Sequence, residues 1–495
     1  MLYGIGATLP ANSFALPGSV RWQALDGDWW DAAKIYERFV KSPHGIRGLP
    51  AAGRPDTDKT LRDLPFWICD YIPNSAYQGD NKPKTLSAGS DLYEPDYWVD
   101  AAIALQKELG TPIGYHIYNW HEIPFNLEYP HFLPAKRCFL EGLAKLHEHP
   151  IYVMPYINGV SWEQHDDIEG HAVNFANTGC RGACITENGE YRCQKYPQVK
   201  PDGTASRLIQ MCPSSRRWRE IIGELAGALE QIGVDGIYFD QISATSADAC
   251  YSREHGHLPG GGTHWRDGYF EMMEEIRAKR GRPWFAFTED NNEVFLGCFD
   301  GMLTWCWVRD RDVPAFPAVY AGLSEMIERT TNGRKKEDKP YFRMMTAKSL
   351  LYGQSIGWCK ADVLYDAERL SFLKAAVQTR WAHNAFFTDG SILRPPCVTA
   401  EQPETLSEPN VHFGEWVHIE SACAGAWKNA AGDTVLLMAC NISEKPNRVS
   451  LTFRQDEYRL ARGDLPEGMT VDGTVGRYET VLAPFEVRAL TLPVA

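Results

Sequence analysis

Two apolar runs in this chain stop on carboxylates. Val234-Asp235-Gly236-Ile237-Tyr238-Phe239 leads into Asp240-Gln241, and Pro283-Trp284-Phe285-Ala286-Phe287-Thr288 leads into Glu289-Asp290. In a parallel barrel such positions are the C-terminal tips of strands, the face on which barrel enzymes keep their chemistry. Cleaving a glycosidic bond through an oxocarbenium-like state needs one carboxyl at the anomeric carbon and a second to protonate the leaving oxygen. Asp240 and Glu289 are the expected catalytic pair. Polar Gln241 and Ser243 beside Asp240 supply donors that keep a nucleophile ionised, whereas apolar Trp284, Phe285 and Phe287 before Glu289 raise its pKa and suit a general acid. Asp70, Asp290 and Glu293 are rivals. Asp70 ends an earlier apolar run and is expected to bind sugar hydroxyls, while Asp290 and Glu293 could equally cap a short helix after Asn291-Asn292.

Aromatic and amide residues gather at the same rim. Tyr118-Asn119-Trp120-His121-Glu122, then Asn158 and Trp162, then Trp305, Trp307 and Arg309 each follow a strand-like run. Sugars offer apolar C–H faces and polar edges, so Trp120, His121, Asn158, Trp162, Gln241, Trp305, Trp307 and Arg309 are expected to contact substrate, with core packing the competing role for any Trp. His255-Gly256-His257, followed by Gly260-Gly261-Gly262, reads as an active-site loop in which His257 hydrogen-bonds substrate, or as a surface turn. Cys250, His255 and His257 stand close in sequence and Cys180, Cys184 and Cys193 share one loop, but no CxxC pair or HExxH occurs. No metal is therefore expected. No glycine-rich GxGxxG follows an early strand, so no dinucleotide is expected either, and the reading needs no cofactor.

The elements that must hold these residues alternate. Trp29, Ala32, Ala33, Ile35, Tyr36 and Phe39 recur at helical spacing over Asp28 to Val40, in a lead-in segment of residues 1–64. Strand candidates follow at Phe66 to Asp70, Pro112 to Tyr118, Ile151 to Ile157, Gly236 to Asp240, Trp284 to Thr288, Gly301 to Trp307 and Ser355 to Trp358, with an eighth expected among Ala315 to Arg343. Helix candidates lie between them at Tyr97 to Leu109, Ala135 to His147, Ser215 to Ile232 and Trp265 to Arg280. Such alternation implies a parallel sheet, and polar residues after nearly every strand favour a closed (β/α)₈ TIM barrel over residues 65–394 rather than an open doubly wound sheet. After the helix Ala367 to His383, short strands separated by turns predict an all-β sandwich over residues 395–495.

Composition narrows the partners. The 495 residues carry 50 Lys and Arg against 64 Asp and Glu, a net charge of −14 that argues against nucleic acid and for a neutral carbohydrate ligand. No run approaches the length of a membrane span, and 13 Cys on a long chain do not read as a disulfide framework, so a cytoplasmic protein is expected. A homo-oligomer is left open.

Tyr118-Asn119-Trp120-His121, Met211-Cys212-Pro213-Ser214, Gly233 to Gln241 and His255 to Gly262 together resemble a bacterial family of largely uncharacterised glycosidase-like proteins, over nearly the whole chain. That family is similar to the endo-α-N-acetylgalactosaminidases and the wider α-galactosidase-like barrels. The resemblance implies retaining chemistry, with the nucleophile on Asp240 and the acid/base on Glu289. Such proteins usually carry a large β-sandwich before the barrel, and the segment from Trp29 to Phe39 resembles what joins the two, yet here almost nothing precedes it. The expectation is a retaining glycoside hydrolase acting on an α-linked galactose-type or related sugar. The alternatives are a non-catalytic carbohydrate-binding protein and a metal-dependent hydrolase built on the Cys and His cluster.

Overall fold

Strands that are apolar on both faces need cover on both, and here the lumen covers one face and a ring of helices the other. The computed structural model describes residues 20–42, 45–46, 49, 54–72, 97–123, 126–166, 173–194, 198–199, 203, 205–304, 313–329, 339–409, 416–463 and 465–495. Its strands β1 (Phe66–Tyr71), β2 (Ile113–Tyr118), β3 (Ile151–Asn158), β4 (Gly236–Asp240), β5 (Phe285–Glu289), β6 (Gly301–Thr304), β7 (Glu325–Arg329) and β8 (Ser355–Cys359) form a closed parallel barrel. Each pairs with its neighbour in sequence, and β8 returns to β1 with Ile356 opposite Phe66. The expected barrel is the observed one, and β7 is its eighth strand.

Helix α1 (Trp29–Val40) starts at a capping box in which Asp28 accepts the Trp30 N–H at 2.9 Å and Asp31 accepts the Asp28 N–H at 3.1 Å. The barrel helices are α2 (Tyr97–Leu109), α3 (Arg137–His147), α4 (Arg216–Ile232), α5 (His264–Lys279), α6 (Ala315–Tyr320), α7 (Lys339–Leu351) and α8 (Ala367–Ala382). Helix α4 shows why: Trp218, Ile222, Leu225, Ala226 and Leu229 recur on one buried stripe, and Gly233 ends the helix in the left-handed conformation at φ 100°. Helix α1 packs on α6, so the lead-in segment lies against the barrel wall.

The lumen is filled in layers. Trp67 packs against Phe285 and Phe287, each with ring centroids 6.3 Å away. Gly301 makes room, since a Cβ there would come within 1.8 Å of the Phe287 ring. One level nearer the C-terminal rim, Tyr71, Tyr118, Tyr156 and Tyr238 from β1 to β4 form a run of rings spaced 4.6, 4.6 and 6.3 Å.

Two four-stranded antiparallel sheets follow, ordered Ser391–Ile392, Ala422–Lys428, Thr434–Asn441, Val487–Pro493 and Cys397–Ala400, Asn447–Arg454, Val475–Leu482, Met469–Asp472. Val435, Leu437 and Ala439 pack with Val449, Leu451 and Phe453 in their shared core. Trp427 pins this sandwich to the barrel: its Nε1 donates to Leu351 O at 2.9 Å, and its ring lies over Gly353, where a Cβ would approach it to 2.3 Å. Among the described residues no helix is long and apolar enough to cross a membrane.

Candidate active site

Asp240 and Glu289 are the last residues of adjacent strands β4 and β5. The register sets Tyr238 opposite Phe287 and Phe239 opposite Thr288, so the next residues, Asp240 and Glu289, stand side by side. Tyr238 faces the lumen, 4.2 Å from the His116 ring, and Phe287 faces it against Trp67. Two-residue alternation therefore turns both carboxyls inward, one layer above the tyrosines. They hydrogen-bond each other.

The surroundings set their protonation. Burial raises the pKa of Asp240 well above the usual carboxylate range, the charge of Glu289 adding to it; burial raises Glu289 to about 7, with the charge of Asp290 adding and that of Arg329 opposing. Two carboxyls in contact cannot both ionise cheaply, so the free pair holds a shared proton at neutral pH. The Tyr156 hydroxyl donates to Asp240 Oδ2 at 3.1 Å, and the Gln241 backbone N–H donates to the same carboxylate.

The rim is held in costly backbone. Asn119 after β2 (φ 55°), Gln241 after β4 (φ 68°), Asp290 after β5 (φ 61°) and Trp358 on β8 (φ 45°) are all left-handed without being glycine. Each such residue costs about 1–3 kcal/mol, and this kind of strain gathers at functional sites. Side chains over-determine two of them. Asn158 Nδ2 and Gln194 Nε2 donate to Gln241 Oε1 at 3.1 and 3.0 Å, and Ser243 Oγ donates to Glu289 O at 2.7 Å and also to Asp290 O, tying the loop after β4 to the end of β5.

Several expected contacts take other roles. Trp120 is wholly buried, donating to Tyr156 O at 2.6 Å and packed on Phe132 and Phe139; Trp162 is wholly buried, donating to Asp166 at 2.7 Å beside Trp218. Neither offers a face to a sugar, because the chain after each strand folds back over it. His121 is buried against Phe132, its Nδ1 is 2.8 Å from Ile123 O, and burial lowers its pKa to about 3, which likewise removes it from the pocket. Asp70 alternates with lumen-facing Tyr71 and so points outward, where it accepts the N–H groups of Tyr71 and Ala361. Burial raises it to about 6, and Lys360 opposes that. Glu293 accepts the Tyr36 hydroxyl at 2.6 Å, on the side of α1. Asn158 does reach the site, through Gln241. Trp305, Trp307 and Arg309 lie outside the described residues.

His257 is turned instead into a group of sulfur and nitrogen ligands with Cys212, Cys250 and His255, and its Nδ1 is 2.9 Å from Leu258 O. Both of its ring nitrogens are thus engaged away from a substrate. Cys180 and Cys193, grouped with these residues by sequence, stand outside the set, while Cys212 joins it from the far side of α4. Cys184 is buried against Cys212 and Cys250, whose thiols keep its own protonated.

Sequence reasoning missed Tyr156, Trp358, Arg329 and His116. The Arg329 guanidinium lies 4.2 Å over the Trp358 ring, and Trp358 Nε1 donates to His116 Nδ1 at 2.8 Å. Burial takes His116 down to about 3, so the ring is neutral and free to accept that bond. Period-two counting back from Asn158 would have found Tyr156; Arg329 could not be found before β7 was placed. Two further cavities lie away from the carboxylates, one at the opposite end of the barrel between Arg54, Asp300 and Glu325, the other between α7 and the sandwich beside Arg394 and Pro395.

A family model described as "Domain of unknown function (DUF6259)" matches residues 14–328. A relative from Bacteroides thetaiotaomicron named "Putative glycoside hydrolase" is 29% identical over 458 residues, covering 89% of this chain and 61% of the relative. Another, from Monosiga brevicollis and named "Putative glycoside hydrolase 22789", is 24% identical over 478 residues, 84% of this chain and 38% of its own length. The chain thus spans less than two thirds of either. Among solved structures, the α-N-acetylgalactosaminidase NagBb of Bifidobacterium bifidum in complex with GalNAc superposes with a TM-score of 0.55 at 13% identity, over 84% of this chain and 62% of that one. The maltogenic α-amylase AmyB of Thermotoga neapolitana does so with 0.52 at 12%, over 88% and 100%. At such identities the likeness is one of fold.

Proposed function

The chain belongs to the DUF6259 family, and from that premise we propose that it is a retaining glycoside hydrolase with Asp240 as nucleophile and Glu289 as acid/base. One observation carries the reading: two inward-facing carboxyls on adjacent strand tips are in hydrogen-bonding contact. Retaining pairs sit about 5–5.5 Å apart, whereas inverting pairs stand about 6.5–9.5 Å apart with a water between them. Carboxyls in contact leave no room for the water that an inverting pair holds between them, which supports retention. A bound glycosidic oxygen takes the shared proton from Glu289 as Asp240, whose ionised form the Tyr156 hydroxyl and the Gln241 N–H favour against the pull of burial, attacks the anomeric carbon. Glu289 then takes a proton from water, which releases the sugar from Asp240.

The names of the two relatives support glycoside hydrolysis, and the substrate class, an α-linked galactose-type or related sugar, is supported by the GalNAc of the NagBb neighbour. Screening aryl α- and β-glycosides, with the first-formed anomer read by NMR, tests it. Hydrolysis of an α-galactoside or α-N-acetylgalactosaminide to the α-anomer is expected, and Asp240→Ala abolishes turnover while leaving the fold intact. A first-formed β-anomer from an α-glycoside overturns retention, and an unaltered rate in Asp240→Ala removes that residue from the mechanism.

A further inference from the structure

We propose that Cys212, Cys250, His255 and His257 bind one zinc ion that staples the loop after β4 to the chain entering α4. Their four ligand atoms lie within 4.8 Å of one another. Zinc bonds of about 2.3 Å to sulfur and about 2.0–2.1 Å to nitrogen place tetrahedral S and N ligands about 3.6 Å apart. Cys250 Sγ is 3.6 Å from His255 Nδ1, and Cys212 Sγ is 3.4 Å from His257 Nε2.

The rings are set for a cation. His255 Nε2 is 2.8 Å from Arg181 O and His257 Nδ1 is 2.9 Å from Leu258 O. A carbonyl only accepts, so these nitrogens carry the hydrogens and the opposite nitrogens present their lone pairs to the cluster. Gly256, left-handed at φ 77°, turns the chain between the two histidines so that both rings reach the same point.

Two thiolates neutralise the zinc charge, their protons passing to solvent as the metal binds. Four protein ligands leave no open position for water or substrate, which makes the site structural and keeps it off the hydrolytic pathway. Its effect on the active site is positional. The loop it holds begins at Gln241, and the segment leading to Cys212 carries Gln194, which donates to Gln241 Oε1 at 3.0 Å.

Metal content tests this independently of any glycosidase activity. The full chain, purified without chelator from zinc-supplemented medium, is expected to hold one zinc by mass spectrometry of the metal. Replacement by Co(II) is expected to give tetrahedral d–d bands with thiolate charge transfer. Cys212→Ser and His257→Ala are expected to lose the metal, as is Cys250→Ser. Wild-type protein that holds no zinc and takes up no Co(II) overturns the proposal, as does a Cys212–Cys250 disulfide in its peptide map. Full zinc retention in the substituted chains also overturns it. Should the variants fail to fold, the Co(II) spectrum of the wild type decides: bands without thiolate character overturn the assignment.

Discussion

The pH dependence of turnover offers the sharpest test of the acid/base assignment. Glu289 is raised from an ordinary value of 4.5 to about 7, by burial first and the Asp290 charge second. A general acid must be protonated and a nucleophile ionised, so the pair acts only while it holds one proton: kcat/KM should fall on the acid side as the pair takes up its second proton, and fall tenfold per unit above about pH 7, to about 1% of its maximum at pH 9. With an ordinary pKa, the protonated fraction at pH 7 would be about 150-fold smaller, which is the advantage the site provides. Asp290→Asn removes a negative neighbour, so the alkaline limb should move to lower pH by about 1 unit. Glu289→Gln cannot deprotonate; it should erase the limb and slow substrates with poor leaving groups by about 10²–10⁴-fold, while activated aryl glycosides lose far less in the first step. Stopped-flow and steady-state rates across about pH 4–10 would record this. An alkaline limb that persists in Glu289→Gln, or stays put in Asp290→Asn, shows that another group supplies the proton.

Tyr156→Phe removes the hydroxyl that donates to Asp240 at 3.1 Å. A hydrogen bond to a charged group is worth about 1.5–3 kcal/mol, so kcat/KM should fall by about 10–150-fold with the melting temperature little changed; an unchanged rate would exclude that contact from the reaction. Trp120→Ala should cost about 3–5 kcal/mol of stability, as a fully buried aromatic does, and leave KM for a glycoside unaltered in the folded protein; a raised KM with undiminished stability would restore Trp120 to the sugar site.

The barrel was legible because burial on both faces writes strands as apolar runs with polar ends, as at Gly236–Asp240 and Phe285–Glu289. The strand at Glu325–Arg329 broke that pattern. Its Glu325 is buried yet charged in sequence, satisfied by Ser355 Oγ at 2.9 Å and faced by Arg380 at 3.9 Å, partners that only the fold brings near. The placing of Trp120 and Trp162 failed for a related reason: composition reveals an aromatic but not which side of the chain will cover it. Asp70 was misplaced by a one-residue parity that turns its neighbour Tyr71 inward. The ligand cluster was half visible. Cys250, His255 and His257 are close in sequence, whereas Cys212 approaches from another connection and no spacing rule would pair it with them.

The circumference of the barrel is completed late. The family match ends at residue 328, but the ring is sealed by Ser355–Cys359, with Ile356 seated on Phe66 and Ser355 on Ile327. A piece cut to the matched span would leave the backbone of the first and seventh strands bare on facing sides of a gap, open to pairing with other chains. The boundary that sequence similarity draws is therefore not one at which this molecule can be divided, and any expression of the barrel by itself has to run past the final stave.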